Sequence, residues 1–223
     1  MRAILLTLLL AIHFLCHGQT ELDKKYSGDL CACLNSLHIV NITDSDELYI
    51  SDCADKAMQQ NRALIAQSAI KQYGDSSGEN INKLAQDLQD RAYLSLVRDC
   101  KLYSTIMDSL RYLNYWGLNQ DSLNSLLNAM NREGDEKRDM GFYYSRSQLY
   151  LELKMYDSSL NDAEKALQIN ANYSYALYNK AWIEEIKGNY DQAILLYDRV
   201  AELTHAKYFY IYAEIAKRKK SGL

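Results

Sequence analysis

The hydrophobic positions in the first half of the chain recur at the spacing of amphipathic helices. The pattern predicts three long helices, over 22–37, over 46–73, and from 79 through Cys100 with a bend before Tyr112. A loop with the capping candidates Asp44 and Ser45 precedes the second helix, and the glycine-bounded segment 74–78 follows it. We therefore predict a small helical bundle in residues 19–117.

The second half of the chain matches itself with a fixed period. Residues 140–173 align with residues 174–207. The alignment pairs Tyr144 with Tyr178, Tyr156 with Tyr190, Asp157 with Asp191, Leu160 with Ile194, and Ile169 with Leu203. A fixed period of this length is typical of a helical hairpin that is copied and stacked. The chain is therefore predicted to be all-α, with a solenoid in residues 118–223.

The two aligned units resemble tetratricopeptide repeats in their small and aromatic positions. The matching residues are Tyr143, Ser147, Tyr150, Tyr156, Ala163 and Ala166 in the first unit, and Ala181, Gly188, Tyr190, Ala193 and Tyr197 in the second. The departures are Arg146 and Lys180 where a leucine is common, Lys154 at the turn glycine, Glu184 at a tyrosine, and Ala171 and His205 at the closing proline. The resemblance implies a short right-handed α-solenoid whose inner face is lined by the first helix of each repeat.

Two repeats cannot bury their outer faces alone, so neighbouring helices are expected on both sides. Residues 208–220 have the pattern of a capping helix and end in four basic residues. That basic end suits a helix C-terminus electrostatically; the alternative is a site for an anionic partner. Before the repeats, Asn119 and Asp121 are capping candidates for a further helix, which makes 103–139 a candidate degenerate repeat.

The resemblance places the partner-binding surface on the inner face of the solenoid. Tyr144, Tyr178 and Tyr212 recur there at the same position of consecutive units. The candidate partner-binding residues are Tyr144, Gln148, Tyr175, Tyr178, Asn179, Trp182, Phe209 and Tyr212. Exposed aromatic side chains with a few amides suit a peptide; the alternative is that some of these tyrosines pack between repeats. The basic clamp with which some members hold a C-terminal carboxylate is not reproduced, since only Asn179 fits it.

The N-terminus has the pattern of an export signal. Met1-Arg2 precedes an apolar run from Ala3 to Cys16, and Gly18 offers a small residue for cleavage. We predict that residues 1–18 are a signal peptide and that the protein is periplasmic or secreted, with a bacterial type of signal. An uncleaved anchor and a lipoprotein attached through Cys16 are the alternatives. No later segment is apolar enough to predict membrane insertion after cleavage.

Four cysteines follow the predicted signal peptide: Cys31, Cys33, Cys53 and Cys100. An even number in an exported protein predicts disulfides. Cys31 and Cys33 diverge on one helix, which leaves two pairings, 31–53 with 33–100 or 31–100 with 33–53. A thiol-redox role for Cys31 and Cys33 is the alternative, whereas the spacing does not match the Cys-x₂₋₄-Cys pairs of zinc sites.

Composition argues against several function classes. The formal net charge of −4 is unsuited to binding nucleic acid, and the absence of proline suits long helices. Beyond residue 18 there are two histidines, His38 and His205, and no phosphate-binding or catalytic motif. We predict an exported, non-enzymatic scaffold that binds a protein or peptide, without cofactor or metal. The alternative function is a thiol-redox accessory protein that uses Cys31 and Cys33.

Overall fold

A computed structural model describes residues 20–37, 39, 46–111, 118–133, 138–206 and 208–223, without the side chains of 46–48. Within these ranges the chain forms eleven α-helices and no strand, which confirms the all-α prediction. The predicted signal peptide and the capping candidates Asp44 and Ser45 lie outside the described residues. Among the described helices, none combines the length and the apolar character needed to cross a membrane.

Eleven helices follow one another along the described part of the chain. They are α1 (Glu21–Ser36), α2 (Asp46–Gln60), α3 (Arg62–Tyr73), α4 (Gly78–Asp99), α5 (Lys101–Leu110), α6 (Gln120–Asn131), α7 (Met140–Glu152), α8 (Tyr156–Ile169), α9 (Ser174–Ile186), α10 (Tyr190–Thr204) and α11 (Tyr208–Ser221). They belong to two compact units, one ending at Leu96 and one beginning at Val97. The predicted domain boundary at 117/118 falls beside residues that the structure does not describe and stays a prediction.

Helix α1 begins with a reciprocal cap in the first unit. The Thr20 hydroxyl accepts a hydrogen bond from the backbone N–H of Asp23, and the Asp23 carboxylate accepts one from the backbone N–H of Thr20. The same carboxylate binds Arg91 of α4, with an Nη2–Oδ1 distance of 2.9 Å. Tyr26, Leu30 and Leu34 follow on one face and are fully buried. The predicted first helix is therefore confirmed and packs as an amphipathic element.

The predicted second helix is wrong in one respect, because it is two helices that meet at Asn61. Asn61 is fully buried, and its Nδ2 donates both to the carbonyl of Ala57 and to the carboxylate of Asp29, at 2.8 Å each. An asparagine side chain that bonds its local backbone competes with the helical ladder, which accounts for the break. The predicted third helix also divides, at Cys100, since Cys100 has extended backbone angles. The predicted bend before Tyr112 borders residues outside the described ranges.

The four cysteines are all in disulfide bonds. Cys33 of α1 is bonded to Cys53 of α2, with their Cα atoms 5.6 Å apart. The alternative pairing of Cys33 with Cys100 is therefore wrong. Cys31 and Cys33 are not bonded to each other, as expected for side chains that diverge on one helix. This arrangement ties α1 to α2 and does not provide the Cys31–Cys33 dithiol that a redox role requires.

The second unit contains two consecutive helical hairpins, α7–α8 and α9–α10, followed by α11. Leu177, Ala181, Ala193, Tyr197 and Val200 form the core of the second hairpin, and Phe209, Ala213 and Ala216 of α11 pack onto the same core. Helix α11 thus covers the face that the second hairpin would otherwise expose.

On the other side of the hairpins, α6 packs against α7. Leu123 and Leu127 of α6 contact Leu149 of α7. The Asn119 side chain accepts a hydrogen bond from the backbone N–H of Ser122 at 2.9 Å, which confirms Asn119 as the cap of α6. Both ends of the double hairpin are therefore covered by helices, whereas a full repeat over 103–139 stays a prediction.

Candidate functional site

The first helices of the hairpins, α7 and α9, and the following helix α11 carry the recurring tyrosines on neighbouring surfaces. Tyr144 of α7 lies 5.4 Å from Tyr175 of α9, measured between ring centroids, and Tyr178 of α9 lies 5.8 Å from Tyr212 of α11. The three tyrosines that recur in the sequence therefore lie on adjacent helices. We call the surface formed by these helices the inner surface.

One end of the inner surface carries a cluster of Tyr144, Tyr173 and Tyr175, which we call the tyrosine cluster. Tyr144 and Tyr173 meet edge to face at 5.8 Å, and Tyr173 and Tyr175 do so at 5.7 Å. Tyr175 is 59% exposed, while the other two are half-buried. Burial is the main cause of a raised Tyr173 pKa. Tyr144 and Tyr175 were predicted site residues; Tyr173 was not, because it precedes its helix.

The predicted residues nearer α11 are packed against one another. The Tyr178 ring contacts Trp182, Phe209 and Tyr212, with centroid distances of 5.4 to 6.1 Å. Phe209 is 7% exposed, and burial raises the pKa of the Tyr178 hydroxyl well above its usual range. Tyr178 also lies 6.1 Å from Tyr197 of α10. This part of the inner surface is a packed aromatic layer rather than a row of projecting rings.

The two predicted amide residues bind each other. Gln148 Nε2 donates to Asn179 Oδ1 at 2.5 Å, and Asn179 Nδ2 donates to Ser147 Oγ at 3.3 Å. Ser147 in turn exchanges hydrogen bonds with Ser159 of α8 at the close approach of the two helices. Both amide side chains are buried. They therefore connect α7 to α9.

A buried ion network lies beside the aromatic layer. Arg111, which follows α5, forms two hydrogen bonds with Glu185 of α9: Nη1 to Oε2 at 2.9 Å and Nη2 to Oε1 at 2.8 Å. Both side chains are 1% exposed. Arg111 Nη1 also donates to the Tyr197 hydroxyl at 3.0 Å, and that hydroxyl donates to Glu185 at 2.8 Å. The guanidinium carbon lies 4.7 Å from the centre of the Tyr212 ring.

Two further residues complete the network. Lys219 of α11 donates to Glu185 Oε1 at 2.9 Å and to the carboxylate of Asp108 at 2.8 Å, and Asp108 also pairs with Arg111. Burial alone would raise the pKa of Glu185, but the bonds and charges of Arg111 and Lys219 lower it. Glu185 is therefore an ionised carboxylate that holds two cations at neutral pH.

The basic residues at the end of α11 bind other residues of the same chain. Lys217 pairs with Glu214, Lys219 with Glu185 and Asp108, and Lys220 with Asp191. Arg218 Nη1 donates to the carbonyls of Val97 and Arg98 at 2.7 and 2.6 Å. These contacts with acidic residues and with the last turn of α4 favour the structural interpretation of the basic end over an anionic partner.

The sequence analysis missed Arg111, Asp108 and Lys219 as parts of the site. One signal could have indicated Lys219, since Glu185 and Lys219 have opposite charges at the same inner-surface position of consecutive units and pair at 2.9 Å. No comparable signal indicates Arg111 or Asp108, whose partners on α9 and α11 are distant in the sequence. Within the described part of the chain, no group of three or more histidine, cysteine or acidic residues could hold a metal ion.

The comparison with protein families identifies the two hairpins. The model of the tetratricopeptide repeat matches residues 141–173 and 174–204. The first match covers α7 and α8, and the second covers α9 and α10, as the period of the sequence predicted. Repeats of this family generally mediate protein–protein interactions and are typically non-enzymatic. The searches of curated proteins and of solved structures found no match.

Proposed function

Because the chain contains two tetratricopeptide repeats, at 141–173 and 174–204, we propose that it is an exported, non-enzymatic scaffold that binds a protein partner on the inner surface. The observation that carries the proposal is the tyrosine cluster at one end of that surface. Tyr175 is 59% exposed and contacts two further tyrosine rings. Rigid aromatic side chains of this kind provide large contact areas at low entropic cost.

The remaining predicted residues support the cluster in this proposal. The buried amide pair Gln148–Asn179 connects the helices that carry Tyr144 and Tyr175. Tyr178, Trp182, Phe209 and Tyr212 form the packed layer on which α9 and α11 meet. We therefore expect a partner to contact the exposed tyrosine cluster. The packed layer and the amide pair hold the backbone of the surrounding surface in position.

Export is proposed from the sequence pattern of residues 1–18 and is supported by the disulfides. All four cysteines beyond residue 18 are in disulfide bonds, which persist in oxidising compartments. Cell fractionation with intact-mass measurement tests this part. We expect the protein in the periplasm or medium with Gln19 as its first residue; an intact N-terminus in the cytoplasm would contradict it.

Quantitative affinity capture from the periplasmic or secreted fraction tests the partner-binding part. The bait proteins are the unchanged chain, Tyr175→Ala, and Leu195→Ala as a matched control. Leu195 lies on α10, the second helix of the same repeat, and is 65% exposed. We expect Tyr175→Ala to lose a partner that the unchanged chain and Leu195→Ala both retain. Equal recovery by all three baits would refute a role for the tyrosine cluster.

A further inference from the structure

The last turn of α5 lies on the inner surface that the repeats provide for a partner. Asp108 and Arg111 are at positions i and i+3, so they project from one side of this turn. Glu185 of α9 binds Arg111, and Lys219 of α11 binds Asp108. Glu185 and Lys219 are themselves at equivalent positions of consecutive units, with a sequence separation of 34. The inner surface thus binds an acidic and a basic residue of its own chain, which we call the Asp108–Arg111 pair.

The contacts around Arg111 are selective for a guanidinium group. Glu185 offers two oxygens to two nitrogens, and the Tyr197 hydroxyl accepts a third hydrogen bond. The Tyr212 ring covers the guanidinium at 4.7 Å. Three acceptors beside an aromatic face suit the planar fork of donors of an arginine, whereas a lysine ammonium would satisfy only some of these acceptors.

We propose that this part of the inner surface is a recognition site for a helical partner segment with an acidic residue three positions before an arginine. The Asp108–Arg111 pair is then a resident ligand that such a segment displaces. The inference rests on the proposed function, since it names the partner chemistry of the same surface. It also explains why the inner surface binds charges of opposite sign on adjacent helices.

Displacement concerns the last turn of α5, because the disulfide of Cys100 and the buried side chains of Tyr103 and Ile106 hold the start of this short helix in place. It has ten residues, and Cys100 at its N-cap makes no side-chain hydrogen bond to it. Helices of this length are marginal without tertiary packing. A partner that supplies the same acidic and basic groups replaces each lost ion pair, so neither Glu185 nor Lys219 is left buried without a counter-charge. The resident pair lowers the apparent affinity of the partner by reducing the open fraction.

A peptide of residues 101–111, acetylated and fluorescently labelled, provides the test. Fluorescence anisotropy measures the binding of this peptide to the unchanged full chain with intact disulfides and to Arg111→Ala. The substitution removes the side chain that occupies the guanidinium site. We expect Arg111→Ala to bind the peptide at least tenfold more tightly than the unchanged chain. Lys101→Ala, an exposed change on the same helix, is the control and should bind as the unchanged chain does. Equal affinity for Arg111→Ala and the unchanged chain would overturn the proposal.

Specificity is tested by changing either side of the contact. A peptide with glutamine in place of the arginine should bind Arg111→Ala at least tenfold more weakly than the native peptide does. The native peptide should likewise bind Arg111→Ala/Glu185→Gln at least tenfold more weakly than it binds Arg111→Ala. Retained binding in either case would show that the site does not read the arginine. A concentration-dependent dimer of Arg111→Ala that excludes the peptide would assign the site to a second copy of the chain and reject the partner proposal.

If Arg111→Ala does not fold, Asp108→Asn serves instead. This change weakens the contacts of Asp108 with Lys219 and with Arg111, and it leaves the two hydrogen bonds between Arg111 and Glu185 in place. We expect a gain of about threefold in peptide affinity, and no gain would overturn the proposal. These outcomes are separate from the capture experiment with Tyr175→Ala, so the arginine site can fail while the tyrosine cluster still binds a partner.

Discussion

Lys154 and Gly188 occupy the same turn in consecutive repeats, and both have a positive backbone φ, 58° and 81° respectively. In each repeat this residue lies between the first and second helix. The turn therefore requires the left-handed conformation whatever residue occupies it. Glycine adopts that conformation without strain, whereas a residue with a Cβ atom is disfavoured there by about 1–2 kcal/mol.

Lys154→Gly is therefore expected to stabilise the second unit. Relief of the backbone strain outweighs the extra freedom that glycine gives the unfolded chain, so the net gain should be about 0.5–1 kcal/mol. In a protein of this size such a gain raises the melting temperature by roughly 2 °C. Thermal unfolding followed by circular dichroism is the measurement.

Two changes at the same turn position serve as controls for Lys154→Gly. Lys154→Ala keeps a Cβ atom and should leave the melting temperature nearly unchanged. Gly188→Ala should lower it, although a Cβ there would meet nothing within 4 Å, because the cost comes from the backbone angle alone. A gain with Lys154→Ala equal to that of Lys154→Gly would show that the lysine side chain, rather than the turn, is responsible.

The buried pair Arg146–Asp162 leads to a second prediction. Arg146 Nε and Nη2 bind the Asp162 carboxylate at 2.5 and 2.9 Å, and the two side chains are 8% and 1% exposed. Arg146→Leu should destabilise the protein by about 3–5 kcal/mol, because it leaves a buried carboxylate without its main partner. Leu196 occupies the position of Asp162 in the next repeat, so Arg146→Leu/Asp162→Leu should recover most of this loss. Urea unfolding measures both; a double variant as unstable as the single one would contradict the explanation.

Helix type and repeat length could be predicted from the sequence because they depend on periodic local features. The period of the self-match placed both hairpins, and the capping residue Asn119 placed the start of α6. The break at Asn61 was not predicted, although asparagine can bond its local backbone and interrupt a helix, as it does here with the carbonyl of Ala57. What the local pattern does not contain is the second bond, from Asn61 to Asp29, which is distant in the sequence.

The candidate site was harder to predict than the fold. The tyrosine positions followed from the period, but their burial did not, because it depends on which helix covers them. Tyr178 and Tyr212 proved to pack against each other, whereas Tyr175 is exposed. Arg111 was missed because its sequence separation from Glu185 is 74, so no local pattern connects the two residues.

The disulfide between Cys33 and Cys53 supports a third prediction. It closes a loop with a sequence separation of 20, so its removal should destabilise the first unit by about 3 kcal/mol. The test is guanidinium unfolding of Cys33→Ser/Cys53→Ser, which should have a lower midpoint than the unchanged protein. Peptide mapping without reductant should also recover Cys33 linked to Cys53; recovery of Cys33 linked to Cys100 would refute the pairing.

The ionisation of Glu185 gives a fourth prediction, about pH. Arg111 and Lys219 lower the pKa of Glu185 in the folded state below its ordinary value of 4.5, despite its burial. A group with a lowered folded-state pKa contributes stability that is fully present above the unfolded-state pKa and is lost as the pH falls through the folded-state value. The contribution of Glu185 should therefore be constant above about pH 5.5 and should decline below about pH 4.5.

Glu185→Gln isolates this contribution, because glutamine resembles the protonated glutamic acid. We expect the difference in unfolding free energy between the unchanged protein and Glu185→Gln to be largest at pH 6–7 and to shrink as the pH falls from about 4.5 towards 3. Glu164→Gln, which removes a surface pair with Lys180, is the control and should change the stability by less than about 1 kcal/mol at pH 7. Urea unfolding across this pH range is the measurement. A difference for Glu185→Gln that stays constant from pH 7 to pH 3 would mean that Glu185 is not held as a carboxylate by Arg111 and Lys219.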